Sequence, residues 1–182
     1  MRHSHVPRRF RRGFTLVELM IVVALIGILA ALAFWGFKSR IGAAKTSEAT
    51  AVMQSIRLHE ESFRAETMAY LDVSKAGYYP GATLNATRWA WDNPSHSDYA
   101  AWRTLSVVTD GPVRFGYKAN AGPAGQGIAV AMDTDLKKTP SWPASPAEPW
   151  YVLQAAGDPD QNGVKTLLVG SSFTGELYQE GD

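Results

Sequence analysis

The stretch RRGFTLVELMIVVALIGILAALAFWGF, residues 11–37, constrains this chain more than any other part of it. Residues 14–37 form a run of 24 positions with one charge, Glu18. As a helix rising about 1.5 Å per residue the run is roughly 36 Å long, enough to cross the hydrocarbon of a bilayer. A secretory signal peptide has a shorter apolar core, followed by a cleavage site of small residues. Here the core is longer, and the arginine-glycine junction comes before it. Residues 1–13 carry five arginines, against Lys38 and Arg40 beyond the run. That bias predicts a cytoplasmic N-terminus, with the bulk of the chain on the far side of the membrane.

Composition bounds the rest of the chain. There are 182 residues in all, which leaves polypeptide for one modest globular domain. With no cysteine, disulfides, thiolate metal sites and cysteine nucleophiles are excluded. The formal net charge of +1 is asymmetric: without residues 1–13 the remainder stands at −4. Bulk charge therefore argues against a nucleic-acid binder, and no specific nucleic-acid partner is predicted.

Glu18 is the anomaly. An intramembrane carboxylate costs roughly 2.5 to 3.5 kcal/mol at the bilayer centre, and less near its edge. A plain signal anchor would have to let this side chain snorkel to the interface. The surrounding residues give another reason for it: Gly13-Phe14-Thr15-Leu16-Val17-Glu18-Leu19, preceded by a basic leader and followed by the apolar run. This motif resembles that of the type IV prepilin family, which includes the pseudopilins of type II secretion. The resemblance covers the leader and the first helix.

It implies a specific chemistry. A membrane-embedded prepilin peptidase would cut after Gly13 and N-methylate the new terminus at Phe14. Cleavage would place an α-amino group at Phe14, within one helical turn of Glu18. In a filament of packed apolar helices an unpaired carboxylate is severely unfavourable, whereas one that meets an ammonium group is tolerated. The resemblance thus assigns Phe14 and Glu18 to assembly: Glu18 of an incoming subunit pairs with the terminal amine of its neighbour. Arg11 and Arg12 would serve orientation and presentation to the peptidase.

Beyond residue 38 the pattern turns amphipathic. Ile41, Ala44, Ala49, Val52, Met53, Ile56 and Phe63 recur mostly three or four apart, and Lys45, Glu48, Arg57, Glu61 and Arg64 read as the solvated side. One helix from Phe14 to about Glu66 is predicted, with Gly36 and Gly42 as points where it could bend. Residues 67–110 read as irregular, with Tyr78, Tyr79, Trp89, Trp91 and Trp102 as an aromatic mini-core. After Gly111, five short segments look like strands: PVRFGYKA, GIAVAMD, WYVLQAA, KTLLVGSS and FTGELYQ. NAGPAGQG reads as the hairpin turn between the first two, and TPSWPASPAEPW as an extended connector without a core face. The predicted fold class is α+β, a long N-terminal helix on an antiparallel sheet of four or five strands. The divisions are a leader at 1–13, a membrane and assembly helix at 14–37, an amphipathic half at 38–66 and a globular part at 67–182. Type IV pilins often close the C-terminal region with a disulfide; this chain needs another device.

Other candidate sites are weaker. Asp158-Pro159-Asp160-Gln161-Asn162-Gly163 has oxygen ligands at alternate positions before a glycine, as calcium loops do. An EF-hand is excluded, because its twelfth position would be Val169. Asn162-Gly163 between strand-like runs is also a hairpin signal. The turn is the favoured reading, with calcium at Asp158, Asp160 and Asn162 as the alternative; no other cofactor is expected. His59-Glu60-Glu61 lacks the second histidine of a zinc-protease helix and reads as a solvated face. His96 lies in a polar turn, and Asp133 and Asp135 read as solvated carboxylates at a strand end. Asn85-Ala86-Thr87 matches a glycosylation sequon. No catalytic residue is proposed.

The expected function is that of a type IV pilus subunit, used in adhesion or motility. It would be inserted in the inner membrane and then polymerised with copies of itself by the assembly machinery into an extracellular filament. The alternatives are a type II secretion pseudopilin of a periplasmic pseudopilus, a minor or competence pilin, and a signal-anchored envelope enzyme.

Overall fold

The computed structural model of the protein describes residues 13–81, 87–138, 140–158 and 161–181. The chain divides into two units, Met1–Arg40 and Ile41–Asp182. Helix α1 spans Leu16–Thr67 and includes Gly36 and Gly42. In the first unit its stretch Leu16–Phe34 is exposed and is long and apolar enough to cross a membrane.

In the second unit α1 lies against a four-stranded antiparallel sheet: β1 (Gly116–Gly122), β2 (Trp150–Gly157), β3 (Thr166–Ser171) and β4 (Thr174–Glu180), in the order β1-β2-β3-β4. This is the α+β arrangement expected. Strand periodicity sorts the side chains of β2. Tyr151, Leu153 and Ala155 join Ala49, Met53 and Ile56 of α1 in the main core. Trp150 and Val152 turn to the opposite face with Val169 of β3. Gly170 stands on the helix side, where a Cβ would lie 2.6 Å from Leu177 Cδ2 and 3.5 Å from Met53 Cε.

GIAVAMD is not a strand, which corrects the sequence reading. It runs as irregular chain over the outer face of β2 and β3, and Ile128, Val130 and Met132 pack there against Trp150, Val152 and Val169. The alternation of apolar residues is real, but it records contact with the face of a sheet, not membership of one. Side chains from β2 supply its bonds: buried Gln154 accepts from Asp133 N at 3.0 Å and donates to Ala131 O at 3.1 Å, and Trp150 Nε1 donates to Gln126 O at 3.0 Å. NAGPAGQG accordingly turns at Pro123 to Gln126 without joining two strands. The proline-rich connector does have a core face: Trp142 meets Phe173 with ring centroids 5.9 Å apart.

The irregular region holds a helix the sequence reading missed, α2 (Tyr99–Leu105), which buries Trp102 and Leu105. Of the five aromatics expected in a mini-core, Tyr79, Trp91 and Trp102 come together, joined by Tyr117 of β1, with neighbouring ring centroids 5.1 to 5.7 Å apart. Tyr78 packs separately with Ala156 and Leu167, and the Trp89 ring lies against Gly81. Chain 73–79 runs along the free edge of β1: Val73 N and Ser74 N donate to Ala119 O, and Tyr79 and Tyr117 exchange both backbone bonds. That edge is thereby closed to other strands.

Candidate assembly site

Gly13, Phe14 and Thr15 lead into α1. Thr15 stands at the N-cap with Glu18 three residues on, the spacing of a capping box. Its Oγ1 accepts Glu18 N–H at 3.2 Å, and its hydroxyl donates to Glu18 Oε2 at 3.5 Å. Leu19 N then donates to Thr15 O at 3.2 Å, the first bond of the helix. Glu18 is thus held on the first turn, close in sequence to Phe14, whose side chain is 76 % exposed. Glu18 makes no ion pair with any described residue. A Cβ on Gly13 would meet nothing within 4 Å. Packing among the described residues therefore does not require glycine at this position. The leader arginines, Arg11 and Arg12 among them, lie outside the described residues.

The second unit carries polar clusters that sequence reasoning took for solvated surface. Arg57 crosses to the last hairpin and donates to the carbonyls of Gly175, Thr174 and Ser171 at 2.9, 3.3 and 3.5 Å. Glu48 binds Arg114 through both its backbone N–H and its guanidinium, at 3.0 and 3.1 Å. Arg64 donates to Tyr70 OH at 2.9 Å and to Glu148 at 2.6 Å. Asp133 is not a solvated carboxylate either. It accepts from Tyr78 OH at 2.8 Å and from Lys165 at 3.2 Å, and Lys165 also reaches Asp135 at 2.8 Å. Burial disfavours ionised Asp133, but the Asp135 N–H, Tyr78 and Lys165 outweigh it and hold the carboxyl below its usual range.

Glu60 was the largest miss. Read as part of a solvated face, it is 0 % exposed. A signal existed: the apolar stripe of α1 passes through Ile56 and Phe63, and position 60 fills the turn between them. His59 beside it does face outward in part, with Nδ1 2.8 Å from Ser55 O. His96 bridges locally: Nδ1 accepts Asp98 N–H at 3.1 Å, which leaves Nε2–H to donate to Tyr78 O at 3.1 Å.

The Asp158–Asn162 loop connects β2 to β3 as a hairpin. Asp158 accepts from Asn162 N at 3.2 Å and Gly163 N at 2.9 Å, Asn162 Oδ1 accepts from Val164 N at 2.7 Å, and Gly163 has φ +84. Both Asp158 oxygens are thus turned to the loop's own backbone. Asp160 lies outside the described residues, as do Asn85 and Ala86 of the sequon. Among the described residues no group of three or more histidine or acidic side chains is placed to hold a metal.

Comparison with known proteins picks out the same N-terminal region. The family described as the prokaryotic N-terminal methylation motif matches residues 8–34. The chain is 44 % identical over 70 residues to the type IV major pilin protein PilA of Myxococcus xanthus, covering 38 % of this chain and 32 % of that protein. It is 39 % identical over 62 residues to a fimbrial protein of Moraxella nonliquefaciens, covering 34 % and 40 %. To the type II secretion system core protein G of Pseudomonas aeruginosa it is 38 % identical over 65 residues, covering 36 % and 46 %. Each match spans less than half of the relative's own length. No solved structure matches the chain. With its methylation motif at the head of an apolar helix, the chain is similar in part of its length to type IV pilins and to a type II secretion core protein.

Proposed function

We propose that this chain is a structural subunit of a type IV pilus, matured by a prepilin peptidase and polymerised through its N-terminal helix. One observation carries the reading. The sequence Gly13-Phe14-Thr15-Leu16-Val17-Glu18 opens a helix whose stretch Leu16–Phe34 is apolar, exposed and interrupted by one carboxylate. A helix bare of partners needs a lipid or protein environment, and a carboxylate inside it needs a counter-charge. Cleavage after Gly13 creates that charge at Phe14, and methylation of the amine leaves it positive. Residues 1–13 then act as leader, 14–37 as membrane and assembly helix, and 38–66 as the half of α1 that carries the globular part. The subunit waits in the inner membrane, N-terminus inward, until the assembly machinery adds it to the filament.

A second reading has its own support: the match to core protein G of a type II secretion system favours a pseudopilin, built by the same chemistry and retained in the envelope. Intact-mass spectrometry of the protein from membranes and from sheared surface material of its host separates the readings. A mass short by residues 1–13 and heavier by one methyl, recovered in sheared filaments, is the expected result. Mature protein confined to the envelope would favour the pseudopilin, and an uncut leader in both fractions would overturn maturation.

A further inference from the structure

Glu60 has the environment of a buried acid without a counter-ion. Its side chain is 0 % exposed among the apolar residues of the main core. Oε2 accepts one bond, from Leu71 N at 2.9 Å, and Oε1 has no hydrogen-bond partner. Leu71 belongs to segment 68–74, which leaves the end of α1 and then runs along the edge of β1. Glu60 is therefore the buried one of the α1 side chains that hold that segment, beside Glu61 and Arg64 at the Tyr70 hydroxyl.

The charges around it do not help ionisation. On α1, Glu61 accepts from Tyr70 OH at 2.8 Å, Arg64 is engaged by Tyr70 and Glu148, and Arg57 by the β3–β4 turn. From segment 68–74 come Tyr70 and Asp72, the latter bonded to Asn120 at 3.1 Å. From β2, Tyr151 meets the Tyr70 ring edge-on at 4.7 Å. Two of these neighbours are acids, and the two cations are committed elsewhere. An ionised carboxylate here has a single N–H to stabilise it, while a neutral carboxyl costs far less to bury.

We propose that Glu60 is a protonation switch: its neutral carboxyl holds segment 68–74 on α1, and formation of the carboxylate releases that segment to solvent. Ionisation leaves an uncompensated charge in the core, and opening of 68–74 admits water to it. Only the proton changes hands, lost to solvent. Burial pushes this carboxyl up to about 7; the Leu71 N–H works in the opposite direction, and Asp72 and Glu61 add to the rise. Because the folded value is raised, the stabilisation is fully present below the unfolded value of 4.5 and is lost as pH rises through about 7.

Hydrogen exchange of the full chain in detergent micelles, read by mass spectrometry from pH 5 to 8, tests this. After correction for intrinsic chemistry and normalisation to β2, opening of 68–74 should rise on the order of 10²-fold in the wild type. In Glu60→Gln it should stay flat. Equal dependence in both proteins, or none in the wild type, overturns the switch. Should the variant misfold, infrared titration of wild-type protein with isotopically labelled glutamate decides. A carboxylic-acid C=O band surviving to about pH 7 supports the proposal, and all glutamates titrating together near their ordinary value overturns it.

Discussion

The guanidinium of Arg57, midway along the second half of α1, donates to the carbonyl of Gly175 at 2.9 Å, across 118 positions of sequence. It reaches the Thr174 and Ser171 carbonyls as well, so one side chain spans the turn between the last two strands. At the other end of β4, Glu180 accepts the Lys137 N–H at 3.1 Å. In a chain without cysteine, the C-terminal strand is thus tied at both ends by charged side chains on backbone groups.

Removal of the first tie should loosen that strand. Arg57→Ala is expected to cost about 1–2 kcal/mol, the usual worth of charge-assisted bonds at a partly exposed site. Arg57→Lys should recover only part, because an ammonium group cannot span three carbonyls as a planar fork does. Hydrogen exchange of β4 in the full chain is the measurement. Unchanged protection in Arg57→Ala would show that β3 pairing alone holds the strand.

The Asp133 cluster predicts an acid limit. Its carboxyl is held below the usual range in spite of burial, so its stabilisation is present above the unfolded value of 3.8 and is lost as pH falls through the lower folded value. Asp133→Asn should destabilise the protein at neutral pH by about 1–3 kcal/mol and flatten the acid limb of a Tm-against-pH profile. A parallel acid limb in the variant would remove Asp133 from the account.

Gly157 closes β2 where the ring of Phe115 crosses it. A Cβ there would lie 2.9 Å from Cδ1 and 3.1 Å from Cγ of a fully buried phenylalanine. Gly157→Ala should cost about 1–3 kcal/mol, since that ring has little room to yield. Chemical denaturation in detergent measures it, and a change within about ±0.5 kcal/mol would mean the ring moves freely.

At the N-terminus the predictions concern maturation and assembly. Gly13→Val should abolish cleavage although no described residue opposes the larger side chain, a Cβ at Gly13 meeting none of them within 4 Å. Glu18→Ala should be cut normally yet fail to enter filaments. Immunoblots of membrane and sheared fractions read both, and efficient incorporation of Glu18→Ala would remove the charge pairing.

For the β2–β3 hairpin, calorimetric titration of the full chain with calcium should give a flat trace, because the Asp158 oxygens already serve backbone N–H groups. Heat that disappears in Asp160→Ala would instead establish the metal site.

The apolar run, the Gly13-to-Glu18 motif and the strands from β1 to β4 were legible in the sequence. All are properties of neighbouring residues: hydropathy summed over a window, charge bias, spacing and alternation. The same locality explains the failures. GIAVAMD alternates as a strand does, yet its backbone bonds go to Gln154 and not to a ladder. No local pattern distinguishes lying on a sheet from lying in one.

The sequence by itself thus determined a chain with a membrane-length helix, a methylation motif at its start and an antiparallel sheet behind it. The tertiary structure decided which charged side chains of α1 are surface and which are structure. Arg57, Glu48 and Glu60 look alike in a helical pattern, but Arg57 meets a hairpin 118 positions away, Glu48 meets Arg114, and Glu60 meets Leu71 in the core. Burial and pairing depend on what the rest of the chain brings alongside, and that is settled only when the sheet closes on the helix.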